Sequence, residues 1–144
     1  MILTSHWFAK LPRDHIKIGV SSGTPSGFKH LPRIAELAPG PYFRTADAET
    51  YRSRYVTQLA QLDPTQIVDR IDQLAQGQTP VLVCWERPGT GDWCHRAWIS
   101  VWLAHRLGLI VEEFGLEGRG FGASHPMLPE EYRRPQSTPV PTLF

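Results

Sequence analysis

The chain has 144 residues, 41% of them hydrophobic, and a formal net charge of +1. That length suits one domain around a single core, and so small a net charge gives no global electrostatic case for nucleic acid or a membrane surface. No apolar run approaches the ~20 residues that cross a bilayer, and Met1-Ile2-Leu3-Thr4-Ser5-His6 lacks the charged region and long apolar run of a secretory leader, so the expectation is a cytoplasmic, reducing setting in which Cys84 and Cys94 are free thiols rather than a disulfide.

In chain order, Met1–Phe8 and His15–Ser21 read as short strands, with Leu11-Pro12-Arg13-Asp14 as the turn between them. Ser22-Gly23-Thr24-Pro25-Ser26-Gly27 is a loop whose glycines permit close backbone approach to a ligand. Leu31–Pro41 is broken by prolines. Ala46–Leu62 reads as a helix, because Tyr51, Tyr55, Leu59 and Leu62 recur at helical spacing. A second helix has Asp63 at the N-cap, Pro64 at the first position, a stripe of Ile67, Val68, Ile71 and Leu74, and a stop at Gly77. Pro80 opens the strand Val81–Glu86. A third helix has Asp92 as candidate N-cap and Gly108 as stop, and is apolar on nearly every face, as buried helices are. Leu109–Phe114 reads as the last strand. From Gly115 onward glycine and proline dominate, which predicts an irregular tail over 115–144, draped on the 1–114 domain or partly disordered. The fold expected is a single α/β domain with a partly parallel sheet flanked by helices, in which the last strand–helix–strand unit is a parallel crossover.

The stretch from Val81 to Arg96 is the most informative. It sets a thiol and a carboxylate, Cys84 and Glu86, at a strand's carboxyl end, facing Cys94, His95 and Arg96 at a helix start. In α/β folds ligands bind in such a crevice. Helix amino ends favour acidic residues, so His95 and Arg96 break a local rule where function is to be expected. Arg96 with the helix amides suits an anion, and Glu86 suits either an ion pair with Arg96 or acid–base work. Cys94, at the helix end beside two cations, is the candidate nucleophile or redox thiol, with His95 as proton carrier, whereas Cys84 reads as packed and inert. The bland alternative is a structural network of the same residues. Trp85 and Trp93 flank the place and can stack a planar group, Ser22 can line it from the neighbouring loop, and Trp98 and Trp102, one turn apart, suit the core. Cys84, Cys94 and His95 could supply three metal ligands, but zinc sites more usually show a paired C-x-x-C spacing, absent here, so no metal is expected, and no cofactor either. The residues 1–33 hold Lys10, Arg13, Lys17, Lys29 and Arg33 against Asp14 alone, and a solvated basic surface accounts for this more simply than an anion-binding face. The glycine-rich stretch 115–122 does not match a phosphate-binding loop, and the remaining histidines, His6, His30, His105 and His125, carry little signal.

Leu82-Val83-Cys84-Trp85-Glu86 followed by Cys94-His95-Arg96 resembles the signature of the bacterial and phage "domain of unknown function 488" family, a strand ending in Cys-x-Glu and then Cys-His-Arg opening a helix. The resemblance implies a compact α/β domain with these five residues lining a site, and no settled activity. Many members carry Asp-Val-Arg after the second strand, where this chain reads Ile18-Gly19-Val20-Ser21-Ser22-Gly23. A different ligand, or use of Lys29 or Arg33 in that role, would follow. The residues and the resemblance together point to a small enzyme acting on a small anionic ligand, with nucleotides, bases and nucleic acid among the candidates. The rival is a non-enzymatic module binding nucleic acid or protein.

Overall fold

The computed structural model describes residues 1–135. Four strands form one fully parallel sheet: β1 (Leu3–His6), β2 (His15–Gly19), β3 (Thr79–Cys84) and β4 (Glu112–Glu113), in the spatial order β2-β3-β1-β4. Three helices accompany them: α1 (Ala48–Ala60), α2 (Pro64–Ala75) and α3 (Arg96–Leu107). The chain is thus a mixed α/β domain, and β3, α3 and β4 make the parallel crossover expected of the sequence. None of the described helices is long and apolar enough to cross a membrane.

Central parallel strands are covered on both faces, which is why β3 reads as an unbroken apolar run. Leu82 and Cys84, with Ile18 and Val20 after β2, face a core shared by all three helices. Leu3, Val81 and Val83 face a smaller cluster on the opposite side, closed by Trp7, Leu11, Phe28 and Leu31 and by no helix. The helices lie where the stripes put them. Tyr51, Tyr55 and Leu59 of α1 are buried, as are Ile67 and Ile71 of α2, each such side chain contributing roughly 1.5–3 kcal/mol. Asp47 caps α1 by accepting the Thr50 N–H at 2.8 Å, and Asp63 caps α2 through Thr65 and Gln66.

Most boundaries shift by about two residues from the sequence reading, and three shifts have a visible cause or consequence. The first strand ends at His6, because the chain turns there, with the Ala9 N–H on the His6 carbonyl. The last strand shrinks from Leu109–Phe114 to Glu112–Glu113. The third helix starts at Arg96 rather than after Asp92, whose carboxylate instead accepts the Thr90 hydroxyl at 3.2 Å. Among the described residues beyond Gly115 the regular structure is two short 3-10 turns, Gly122–Ser124 and Glu130–Tyr132, and an isolated antiparallel bridge of Phe121 with Glu112, yet His125, Met127 and Leu128 are buried. Gly122 donates to Ser100 Oγ of α3 at 2.9 Å, Cys94 donates to the Met127 carbonyl at 2.9 Å, and the Arg52 guanidinium lies over the Tyr132 ring. The segment therefore completes the core through Met127 and Leu128, with Tyr132 packed against it. Pro139, Pro141, Leu143 and Phe144, part of the expected irregular tail, lie outside the described residues.

The short return from β1 to β2 depends on one close approach. Trp7, 1% exposed, lies flat on the sheet with its indole N–H on Ser21 Oγ at 3.0 Å. A Cβ on Gly19 would come within 2.7 Å of two indole carbons. Gly19→Ala should therefore cost about 1–3 kcal/mol, the usual range for overpacking, read as a lower urea midpoint at unchanged slope. An unchanged midpoint would mean that the indole is free to move aside.

Candidate functional site

The carboxyl ends of β2 and β3 and the start of α3 meet in a cavity of about 710 Å³. Ser21, Ser22 and Gly23 form one wall, Cys84, Trp85 and Glu86 the next, Asp92, Trp93, Cys94 and His95 the third, and Phe43, Arg44 and Tyr51 the fourth. This is the crevice that strand–loop–helix order predicts. Seven of the eight site residues singled out in the sequence lie on its walls. They are Ser22, Cys84, Trp85, Glu86, Trp93, Cys94 and His95.

Arg96 does not. Its guanidinium and the Glu113 carboxylate are both 0% exposed and form a two-pronged pair, Nε to Oε1 at 2.9 Å and Nη2 to Oε2 at 2.7 Å. Nη1 donates to the Glu86 carbonyl at 2.8 Å and to Cys84 Sγ at 3.1 Å. Two expectations are corrected. Arg96 pairs with Glu113 and not with the Glu86 side chain, and it has no face left for an anionic ligand. Burial keeps it structural. The Glu86 carboxyl, half-buried in the cavity wall, is pushed up from the ordinary range by burial, only partly offset by hydrogen bonding and the Arg96 charge. That suits an acid–base group.

Cys84 and Cys94 are joined by a disulfide. The expectation of two free thiols is overturned because the strand end and the residue two before the helix meet across the cavity floor, although ten positions separate them. Nor is Cys84 inert packing, since Arg96 donates to its sulfur. His95 is buried beneath, with Nε2 against the Val20 carbonyl at 2.7 Å and Nδ1 3.7 Å from Cys94 Sγ. A carbonyl only accepts, so Nε2 carries the hydrogen and Nδ1 presents its lone pair to the sulfur. Burial above all, with a further push from Arg96, lowers the His95 pKa to about 4.

Around the aromatic wall, Tyr51 meets Trp93 edge-on at 4.7 Å between centroids and stacks on Trp98. Trp85, 45% exposed, donates its indole N–H to the Gly23 carbonyl at 3.2 Å. Arg33 does not take the place of the family's loop arginine. It donates to the Ser21 and Ser22 carbonyls and so holds the loop's shape from outside. The sequence reading missed Arg44 and Phe43 entirely, and gave Tyr51 only a core role. It also missed Glu113, Thr4 and His125. Met127 N–H donates to His125 Nδ1 at 3.0 Å, His125 Nε2 meets Thr4 Oγ1 at 2.8 Å, and Thr4 donates to Glu113 Oε1 at 2.8 Å. The signal available was the pair Glu112-Glu113 in the otherwise apolar stretch Leu109–Phe114, and adjacency does not reveal which of the two points inward or at what partner.

No family model, characterised protein or solved structure matches the chain. The likeness to the family named above therefore rests on the motif.

Glu113→Gln should cost about 3–5 kcal/mol, because it leaves a buried guanidinium without its counter-charge. A loss under about 1 kcal/mol in chemical denaturation would show that the pair is not sealed from water. Acid should also unfold the protein early. Burial, with Arg96 and Arg133 adding to it, lowers the His125 pKa to about 3, and His95 is lowered to about 4. The unfolded chain, with histidines near the ordinary 6.5, then binds more protons than the native state, so stability falls as pH drops from about 6.5 towards 4. Melting temperatures that stay flat across that window in the reduced and oxidised protein would contradict buried neutral histidines.

Proposed function

We propose that the protein is a small enzyme that binds a planar ligand bearing a phosphate or carboxylate in this cavity and reacts with it at the corner made by Cys84, Cys94, His95 and Glu86. The observation that supports it most is the convergence of two sulfurs, an imidazole lone pair and a half-buried carboxyl on one aromatic-walled cavity. Arg44 takes the anionic group, since Arg96 is committed elsewhere. Trp85, Phe43 and Tyr51 hold the planar part, which fits a nucleotide- or base-related compound. When the sulfurs are reduced, as the cytoplasmic setting of this reading implies, His95 Nδ1, which Val20 orients through Nε2, faces the Cys94 thiol as an acceptor and takes its proton only as the sulfur attacks. A nucleophile, a base and a group that fixes the base are the parts of an activated thiol. Cys84, to which Arg96 donates, is the sulfur paired with Cys94 in the disulfide. The Cys-x-Glu and Cys-His-Arg resemblance to the "domain of unknown function 488" family agrees with this placement and suggests common chemistry. The second reading, a non-enzymatic binding module, is favoured by the Arg96–Glu113–Thr4–His125 network, which has a sufficient structural role by itself.

The reduced, metal-free protein should show a rise in melting temperature with nucleoside monophosphates or other planar anions in a panel that includes the uncharged nucleosides. The same compound should slow iodoacetamide alkylation at Cys94, which should otherwise outpace Cys84. Arg44→Gln should weaken that binding about tenfold, the scale of one exposed charge contact worth about 1.4 kcal/mol. A panel without any shift, together with equal labelling of both cysteines, would favour the binding module.

A further inference from the structure

We propose that the reduced chain holds one divalent metal ion, zinc by its donor chemistry, on Cys84 Sγ, Cys94 Sγ and His95 Nδ1, with the fourth position open to the cavity. This reverses the expectation drawn from the absent C-x-x-C spacing. The ligands come instead from a strand end and a helix start that the fold brings together. The three donor atoms lie within 4.8 Å of one another and all three residues are buried. Zinc bonds of ~2.3 Å to sulfur and ~2.0 Å to nitrogen in a tetrahedron put such donors about 3.5–3.8 Å apart. His95 Nδ1 already stands 3.7 Å from Cys94 Sγ. The two Cα atoms are 7.5 Å apart, against ~4.4–6.8 Å for most disulfides, so once the bond is reduced there is room for an ion between the sulfurs.

The surroundings are those that a metal site needs beyond its ligands. A metal-binding histidine commonly donates its other ring N–H to a carbonyl or carboxylate, which fixes the tautomer and aims the lone pair. The Val20 carbonyl does this for His95 at 2.7 Å. Arg96 Nη1 donates to Cys84 Sγ at 3.1 Å, as a donor to a ligating thiolate should. Two thiolates balance the charge of a divalent ion, and Arg96 is already balanced by Glu113. Three protein ligands with one open place are the arrangement of a catalytic zinc. The ion's chemical role rests on the reading of the cavity as a reacting site. Zinc there would acidify a water at its open position, beside the Glu86 carboxyl on the same cavity wall. The sulfurs would then serve as its ligands.

Two measurements decide it. Protein reduced with a phosphine, loaded with zinc and passed through a desalting column should retain about one zinc per chain, while the oxidised protein retains none. Loading with cobalt should give thiolate-to-metal charge-transfer absorption on the unaltered chain. In competition with a chromophoric chelator, Cys84→Ser, Cys94→Ser and His95→Ala should each weaken zinc about a hundredfold or more, beyond the ~10–100-fold of losing an outer partner, and Arg44→Gln should not. Circular dichroism checks that each variant folds. Reduced protein without zinc or charge-transfer absorption overturns the site, as does zinc held equally well by folded variants. Zinc binding with no ligand-induced shift would leave the metal site standing and remove the enzymatic reading, and a ligand shift in metal-free protein that cannot load zinc would do the reverse.

Discussion

The Arg96–Glu113 pair is the constraint on which the rest of the structure depends. Neither group touches solvent, and placing a guanidinium and a carboxylate in a dry interior is favourable only when each hydrogen bond is answered. Arg96 meets this by spending Nε and Nη2 on Glu113, and Nη1 on the Glu86 carbonyl and the Cys84 sulfur. Glu113 meets it by also accepting from Thr4. One side chain thus ties the first turn of α3 to β4, to β1 through Thr4, and to the end of β3. It is a poor way to gain stability and a good way to fix register. A slip of β4 by one residue would turn the carboxylate of Glu113 to the other face of the sheet.

That fixed register places the cavity. The Glu86 carbonyl is held by Arg96, so the chain leaving β3 turns there and presents Trp85 and the Glu86 carboxyl on one wall. His95 stands immediately before Arg96 and is held by the Val20 carbonyl after β2. The segment past β4 adds a third restraint, since the Met127 carbonyl accepts the Cys94 N–H, and His125 reaches Thr4 and so Glu113. A segment without α-helix or regular strand positions a residue of the cavity wall because its backbone groups, lacking regular partners, are satisfied by the domain.

Local signals were legible in the sequence, and partners were not. The Asp63-Pro64 start of α2, the tyrosine stripe of α1 and the apolar run of β3 follow from periodicity and capping chemistry, which a chain carries in its own order. The crevice followed too, because a strand end and a helix start on either side of a turn must lie together. Arg96 was misjudged for a physical reason. A cation at a helix start is equally unusual whether it waits for a ligand or for a buried carboxylate, and Glu113 lies 17 residues on, in a strand whose inward face cannot be told from two residues. Arg44, Phe43 and Tyr51 reach the cavity through tertiary packing, to which helical spacing gives no clue beyond an apolar stripe. The free-thiol expectation came from compartment alone, and proximity across the cavity floor decided otherwise.

The state of the sulfurs sets the electrostatics of the cavity. Joined, they carry no charge, and the Arg96–Glu113 pair beneath them is balanced within itself. Parted, they can carry two negative charges in a site largely closed to water, where unscreened repulsion is strong. Arg96 cannot offset both, because Glu113 already answers its charge. Three outcomes resolve this. One thiol can keep its proton, the His95 lone pair can take one, or a cation can come between the sulfurs. The first leaves a single thiolate beside Glu86, whose own carboxyl burial already biases towards the neutral form, and the second leaves two thiolates beside an imidazolium that burial disfavours. The third removes the repulsion outright and keeps the imidazole neutral and aimed, as the Val20 carbonyl holds it. A corner that aims a lone pair at one sulfur and supplies a donor to the other suits a bound cation as well as a nucleophilic thiol, because a cation between the sulfurs uses all of those contacts at once.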